Sequence, residues 1–154
     1  MFYHLTRSSP QETLAMILPR ALAAGWRVML RGTDRVALEQ LDQTLWTAGG
    51  DESFLPHGLQ GGPHDADQPI LLGTGAIGNA AQALVLLDAA DTTSEETTPL
   101  HRLWVIFDAA DQSALTAART LWTKLTAAGQ HAQYWSEETG RWAMKTEKNA
   151  PAKT

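Results

Sequence analysis

Apolar runs of strand length alternate along this chain with stripes of helical period, and that alternation leaves few folds open. Ile70-Leu71-Leu72, Ala83 to Leu87 and Leu103 to Phe107 are continuous apolar runs. Such runs mark strands buried on both faces. Around them lie helical stripes: Leu14, Ile17, Leu18 and Leu22, then Leu38, Leu41 and Leu45, then Leu115, Ala118, Leu121, Trp122 and Leu125. Strands and helices in alternation predict a single α/β domain with a mainly parallel sheet and helices on both faces.

The element boundaries carry their own signals. Ser9, Pro10 and Glu12 form a capping box with proline at the first helical position, and Gly25 is a natural stop. Pro19 lies inside this helix and predicts a kink or an early end. Residues 1–5 and Arg27 to Leu30 read as strands. Gly32-Thr33-Asp34 turns the chain into a second helix, and Phe54 to His57 reads as a short extended piece. Residues 58–69, rich in Gly, Pro and Asp, read as a long surface loop, and the acidic, Thr-rich stretch from Asp88 to Pro99 as a mobile one. Asp111 caps a helix that ends at Gly129, and Ala132 to Trp135 is a last strand. The domain is expected to span 1–142, with 143–154 a flexible tail.

Composition narrows the function classes. The chain has 154 residues, enough to bury a sizeable core as one domain. A formal charge of −5 argues against a surface built to neutralise phosphates, so no sequence-specific nucleic-acid binding is expected. Cysteine is absent, which removes disulfides, thiol nucleophiles and thiolate metal sites. Met1 to Leu5 lacks the basic region and apolar run of a signal peptide. No stretch approaches the roughly 18 apolar residues of a membrane span. A cytoplasmic protein is expected. Six tryptophans are many for this length, and tryptophan favours binding surfaces as well as cores.

Candidate chemistry is sparse. Gly73-Thr74-Gly75-Ala76-Ile77-Gly78 matches the dinucleotide-binding GxGxxG pattern, but only Asn79 to Gln82 separate it from the next apolar run. The motif needs a helix there, and a parallel crossover takes about a dozen residues or more. A nucleotide-binding α/β enzyme using this turn is the alternative reading. His57, His64 and Asp65 are the one imaginable metal set, and His57 reads better as a loop-orienting residue; no cofactor or metal is expected. The serines lack a nucleophile setting, and Asp51-Glu52, Glu95-Glu96 and Glu137-Glu138 read as solvated charge. No catalytic constellation is assembled, so the chain is not expected to be an enzyme.

Two places read as docking chemistry. Arg119 and Trp122, three apart on one helix, share a face. Arginine grips a carboxylate in bidentate fashion and a ring walls an apolar slot, a receptor for an acidic, hydrophobic peptide end. Lys124 lies further round the helix. The competing reading makes Trp122 core and Arg119 a surface charge. Trp46 closes the second helix at the edge of its buried stripe and Phe54 follows a Gly-Gly break. They either anchor a partner or seal the core.

Leu41-Asp42-x-x-Leu45-Trp46 followed by Ser53-Phe54-Leu55-Pro56-His57-x-Leu59 resembles the signature of the chi subunit of bacterial DNA polymerase III. Phe2-Tyr3-His4-Leu5 and Ala118-Arg119-x-x-Trp122 are similar to that family's first strand and last long helix. The resemblance implies a non-enzymatic accessory protein of the clamp loader that counts towards DNA-directed DNA polymerase activity only as a holoenzyme subunit. It also implies a bridge from single-stranded-DNA-binding protein to the clamp loader through the psi subunit. On this resemblance Trp46, Phe54, Leu55 and Pro56 form the surface for psi or another clamp-loader or helicase protein. Arg119 and Trp122, with Lys124, receive the acidic, Phe-ended tail of the single-stranded-DNA-binding protein. Thr123 and Leu125 depart from the basic or tyrosine residues of that family's helix.

Overall fold

The computed structural model describes residues 2–5, 10–47, 57–62, 65–87, 90–108, 110–137 and 142–149; for residues 10–12, 15 and 45–47 it describes the backbone alone. In chain order the elements are β1 (Phe2–Leu5), α1 (Pro10–Ala23), β2 (Val28–Arg31), α2 (Arg35–Thr47), β3 (His57–Leu59), a 3-10 turn (Asp65–Asp67), β4 (Ile70–Gly73) and β5 (Ala83–Leu86). There follow α3 (Ser94–Thr97), β6 (Arg102–Asp108), α4 (Gln112–Ala127), β7 (Ala132–Ser136) and β8 (Ala143–Lys148). The described strands form one sheet in the order β3-β4-β2-β5-β6-β1-β7-β8. All neighbours are parallel except β7 and β8.

The period-2 geometry of the strands divides the core in two. On one face Leu5, Val28, Leu30, Ile70, Val85 and Ile106 meet the α1 and α2 stripes. On the other face Phe2, Met29, Leu84, Val105 and Phe107 lie against α4 and the connections. Every residue of β2, β4 and β5 is buried, as their continuous apolar runs require. No helix links β4 to β5. That connection covers the sheet with Ile77 and Ala81 instead, and the segment before β6 adds Ala90 and Leu100.

Helix ends follow sequence chemistry. The Asp34 carboxylate accepts from the Val36 N–H at 3.0 Å, and the Asp111 carboxylate from Ala114 at 3.1 Å. Gly25 and Gly129 take φ of +82° and +85°. In each case the glycine and the residue after it donate to carbonyls of the last turn: Gly25 to Leu22, Trp26 to Ala21, Gly129 to Thr126 and Gln130 to Leu125.

Four expectations are corrected. Pro19 does not end α1, which runs on to Ala23 with Pro19 exposed on its outer side. The predicted 58–69 loop begins inside β3, where Gly58 and Leu59 pair with Leu71 and Leu72. From residue 90 on, the segment expected to be mobile is pinned by hydrogen bonds: Thr93 caps α3, and the buried Thr97 hydroxyl donates to Gln130 at 2.8 Å. Residues 143–148, expected in the tail, form β8 along β7. Polar ties replace an apolar pattern there. Gln133 donates to Glu147 at 2.7 Å, and Asn149 donates to the carbonyls of Thr126 and Gln130.

Arg31, at the carboxyl end of β2, ties three segments together. Its guanidinium donates to both Glu96 oxygens at 2.6 and 2.7 Å, and to the carbonyls of Gly75 and Asp91 at 3.0 Å each. The Thr92 hydroxyl also donates to Glu96. The Arg31 hydrogen bonds hold the Glu96 carboxyl below its ordinary value against the opposing effect of burial, with Thr92 assisting. Arg31→Ala is expected to lower stability by about 2–4 kcal/mol, because it strands a largely covered carboxylate, and the Arg31→Met, Glu96→Leu double variant to recover part of the loss. A depressed folded pKa gives stability that is present above the unfolded value and lost as pH falls through the folded one. Urea midpoints should therefore decline below the ordinary value of 4.5, with a shallower decline in Glu96→Gln.

Candidate functional site

At the glycine turn, side chains already occupy the polar groups a nucleotide would need. Gln60 accepts from the Gly75 N–H at 3.1 Å and donates to the Ala76 carbonyl at 3.1 Å, while Arg31 holds the Gly75 carbonyl. A Cβ on Gly73 would lie 2.6 Å from the Cβ of Gln60, so this glycine makes room for a side chain rather than for pyrophosphate. Residues 74–82 contain no helix. The motif's chemistry depends on a helix N-terminus aimed at the phosphates, and that arrangement is not present.

His57 is fully buried, and its Nε2–H donates to the Asp42 carbonyl at 3.0 Å, with an Asp42 carboxylate oxygen at 3.2 Å. It fastens β3 to α2, as a loop-orienting residue does. His64 lies outside the described residues, and Asp65 accepts from the Gly61 and Gly62 amides. Among the described residues no group of three His, Cys, Asp or Glu could hold a metal ion, and no helix is long and apolar enough to cross a membrane. Phe54, Leu55 and Pro56 lie outside the described residues. Trp46 belongs to the last turn of α2, with its side chain outside them.

The face of α4 can be built residue by residue. Ala114, Ala118, Leu121 and Leu125 are buried against the sheet. Trp122, one position off that stripe, is half-buried at its edge. Its ring stands edge-on to Phe2 at 5.2 Å and to Tyr134 at 6.2 Å. Tyr134 is itself tied to His4 Nδ1 by its hydroxyl at 2.8 Å, and His4 stacks on Phe107 at 5.1 Å. The indole is thus held rigidly from below with part of it open to solvent. Arg119, one turn earlier, is exposed on the same side.

Lys124 is not brought to this face. Two residues beyond Trp122 it lies about 200° round the helix. Its ammonium donates to the Asp91 carboxylate at 3.0 Å and to the Thr92 carbonyl at 2.7 Å. Burial raises the Asp91 pKa, but hydrogen bonds from Lys124 and the Thr92 backbone outweigh it and leave the carboxyl lowered.

Phe2 and Tyr134, which fix the tryptophan, were readable from sequence only as strand residues. Their signal is that each is aromatic near the start of a strand flanking α4. Phe2 also walls a cleft of about 560 Å³ at the amino ends of β1, β6 and β7, beyond the last turn of α4.

No curated protein matches the chain. The family profile of the DNA polymerase III chi subunit, HolC, matches residues 1–133, from before the first strand into β7. The match covers Arg119 and Trp122, the glycine turn and the α2–β3 junction, and stops one residue short of Tyr134. The chain belongs to the DNA polymerase III chi subunit family and is a DNA replication accessory protein.

Proposed function

We propose that this protein links single-stranded-DNA-binding protein to the polymerase III clamp loader by receiving the acidic, Phe-ended C-terminal tail of the former on α4. The observation that carries the reading is the exposed Arg119 one turn from a half-buried, rigidly held Trp122. The guanidinium pairs with the terminal carboxylate in a two-pronged, charge-assisted contact. The indole edge walls the terminal phenyl ring. Because Phe2 and Tyr134 already fix Trp122, little side-chain freedom is lost on binding. Lys124, turned to Asp91, stays outside the contact set. The protein acts as a cytoplasmic adaptor and carries no chemistry of its own.

The second surface of the adaptor is the α2–β3 junction. In this reading Trp46, Phe54, Leu55 and Pro56 dock a psi-like subunit or another clamp-loader or helicase protein. The support is the family resemblance of the Leu-Trp and Phe-Leu-Pro-His block. His57 anchors the start of β3 to α2 beside it.

Titration of a fluorescent tail peptide by anisotropy tests the first surface. Arg119→Ala should weaken binding about tenfold or more, the scale of a lost charge-assisted hydrogen bond. Deleting the terminal Phe should do the same, and raised salt should weaken the remaining affinity. Equal affinity for intact and truncated peptide would sink the idea. For the second surface, Trp46→Ala and Phe54→Ala should each lose the clamp-loader partner in a pull-down while thermal unfolding stays close to that of the parent chain. A stability loss of about 3–5 kcal/mol would instead mark them as core, as buried aromatic truncations do.

A further inference from the structure

We infer that the acidic residues preceding the terminal Phe of the tail lie over the trough between α4 and the edge strand β8, against Lys148 and Lys145; this rests on the tail reading above. Alternation along the strands fixes what faces this trough. Ala132 and Tyr134 pack on the α4 side of the sheet, and their register partners on β8 are Lys148 and Thr146. Residues paired in register share a face. Thr146 therefore adjoins Tyr134, and Lys148 stands two residues, about 7 Å, further towards the amino ends. Trp122 lies edge-on against Tyr134. Because α4 leaves the carboxyl end of β6 and returns to the amino end of β7, Arg119, Trp122 and Lys148 follow one another in that direction. Asn149 secures the end of β8 to α4, donating to the carbonyls of Thr126 and Gln130 at 2.9 Å each. A tail with its carboxylate on Arg119 and its ring on Trp122 thus sends its preceding residues across Tyr134 towards Lys148.

Charge selects the occupant. Arg119, Lys145 and Lys148 are exposed, and among the described residues no hydrogen bond or ion pair engages their charged groups. Although the chain has 17 acidic residues against 12 Lys and Arg, neither α4 nor β7 contains an Asp or Glu, and β8 contains only Glu147. That carboxylate is turned away. It accepts from Gln133 at 2.7 Å and lies 2.6 Å from His131 Nε2, and Gln133, next to Tyr134 in its strand, belongs to the opposite face with Trp135. Lys124, the other cation of α4, is held by Asp91 on the far flank of the helix. The α4–β8 side of an acidic protein therefore presents unpaired positive charge beside the tryptophan. Lysines on an edge strand also discourage pairing with another sheet. Charge reversal separates the two roles, since a glutamate keeps the edge charged but repels an acidic peptide.

Two decapeptides ending in Phe with a free carboxylate, one with Asp before the Phe and one with Asn in place of each Asp, are titrated against the full chain and its variants. Lys148→Gln should weaken the acidic peptide about threefold, and the Lys145→Glu, Lys148→Glu double variant about tenfold or more, with the Asn peptide unmoved by either. Lys148→Arg should keep the parent affinity. Lys124→Gln, the same loss of charge on the far flank, should leave both peptides unmoved, and Arg119→Ala should weaken both. An acidic peptide indifferent to the Lys145 and Lys148 changes, yet lost with Arg119→Ala, would overturn the trough and leave the tail reading standing. Equal weakening of both peptides by the Lys148 changes would make β8 a structural support only and overturn the proposal. Failure of both peptides to bind the parent chain would overturn the tail reading and the trough with it.

Discussion

One guanidinium organises the carboxyl end of this sheet. Arg31 closes β2 and donates to the β4–β5 connection through Gly75, to the segment after β5 through Asp91, and to α3 through both oxygens of Glu96. Two long connections with no helix of their own length would otherwise leave backbone groups unsatisfied over a buried sheet face. Their apolar residues, Ile77, Ala81, Ala90 and Leu100, can pack there because the arginine fixes the chain on either side. The geometry is favourable for such a group: the acceptors are two carboxylate oxygens and two carbonyls, and the Glu96 side chain keeps 25% of its surface in water. The Arg31 side chain keeps only 10%, so the pair carries a desolvation cost, which these hydrogen bonds offset.

That arrangement also bears on where function can lie. Open α/β sheets commonly hold ligands beyond the carboxyl ends of their strands. Here Arg31 and Gln60 take up the polar groups of the glycine turn that a phosphate would use. The half-buried Trp122 and the exposed Arg119 lie elsewhere, on the outer side of α4. A family of replication accessory proteins fits a fold whose usual ligand crevice is used for structure.

The sequence made the sheet centre legible and its edges obscure, for one physical reason. A strand buried on both faces must be apolar throughout, so β2, β4 and β5 announce themselves. An edge strand needs only backbone pairing on one side. β3 lay hidden in a Gly-rich stretch, and β8 in a Lys- and Thr-rich one whose ties to β7 are Gln133, His131 and Glu147. Composition misled again at 90–100, where threonine hydroxyls serve as caps and buried donors rather than as solvated groups. Helix geometry alone placed Arg119 with Trp122 and Lys124 apart from them. What spacing could not supply was the tertiary partner of each: Phe2 and Tyr134 for the indole, Asp91 for the ammonium.

The half-burial of Trp122 resolves the choice between core and surface by granting both. Its inner edge completes the aromatic packing of Phe2, Tyr134, His4 and Phe107, so its rotamer is set by the fold. Its outer edge remains available beside a flexible cation. Under the proposed tail reading, a residue with those two sides would be ordered before its partner arrives, which would confine the entropy of binding mainly to the peptide. It would also couple affinity to stability. On that reading a substitution at Tyr134 that loosens the ring would weaken the peptide, and the loss would track the packing of β7 rather than the charge on α4.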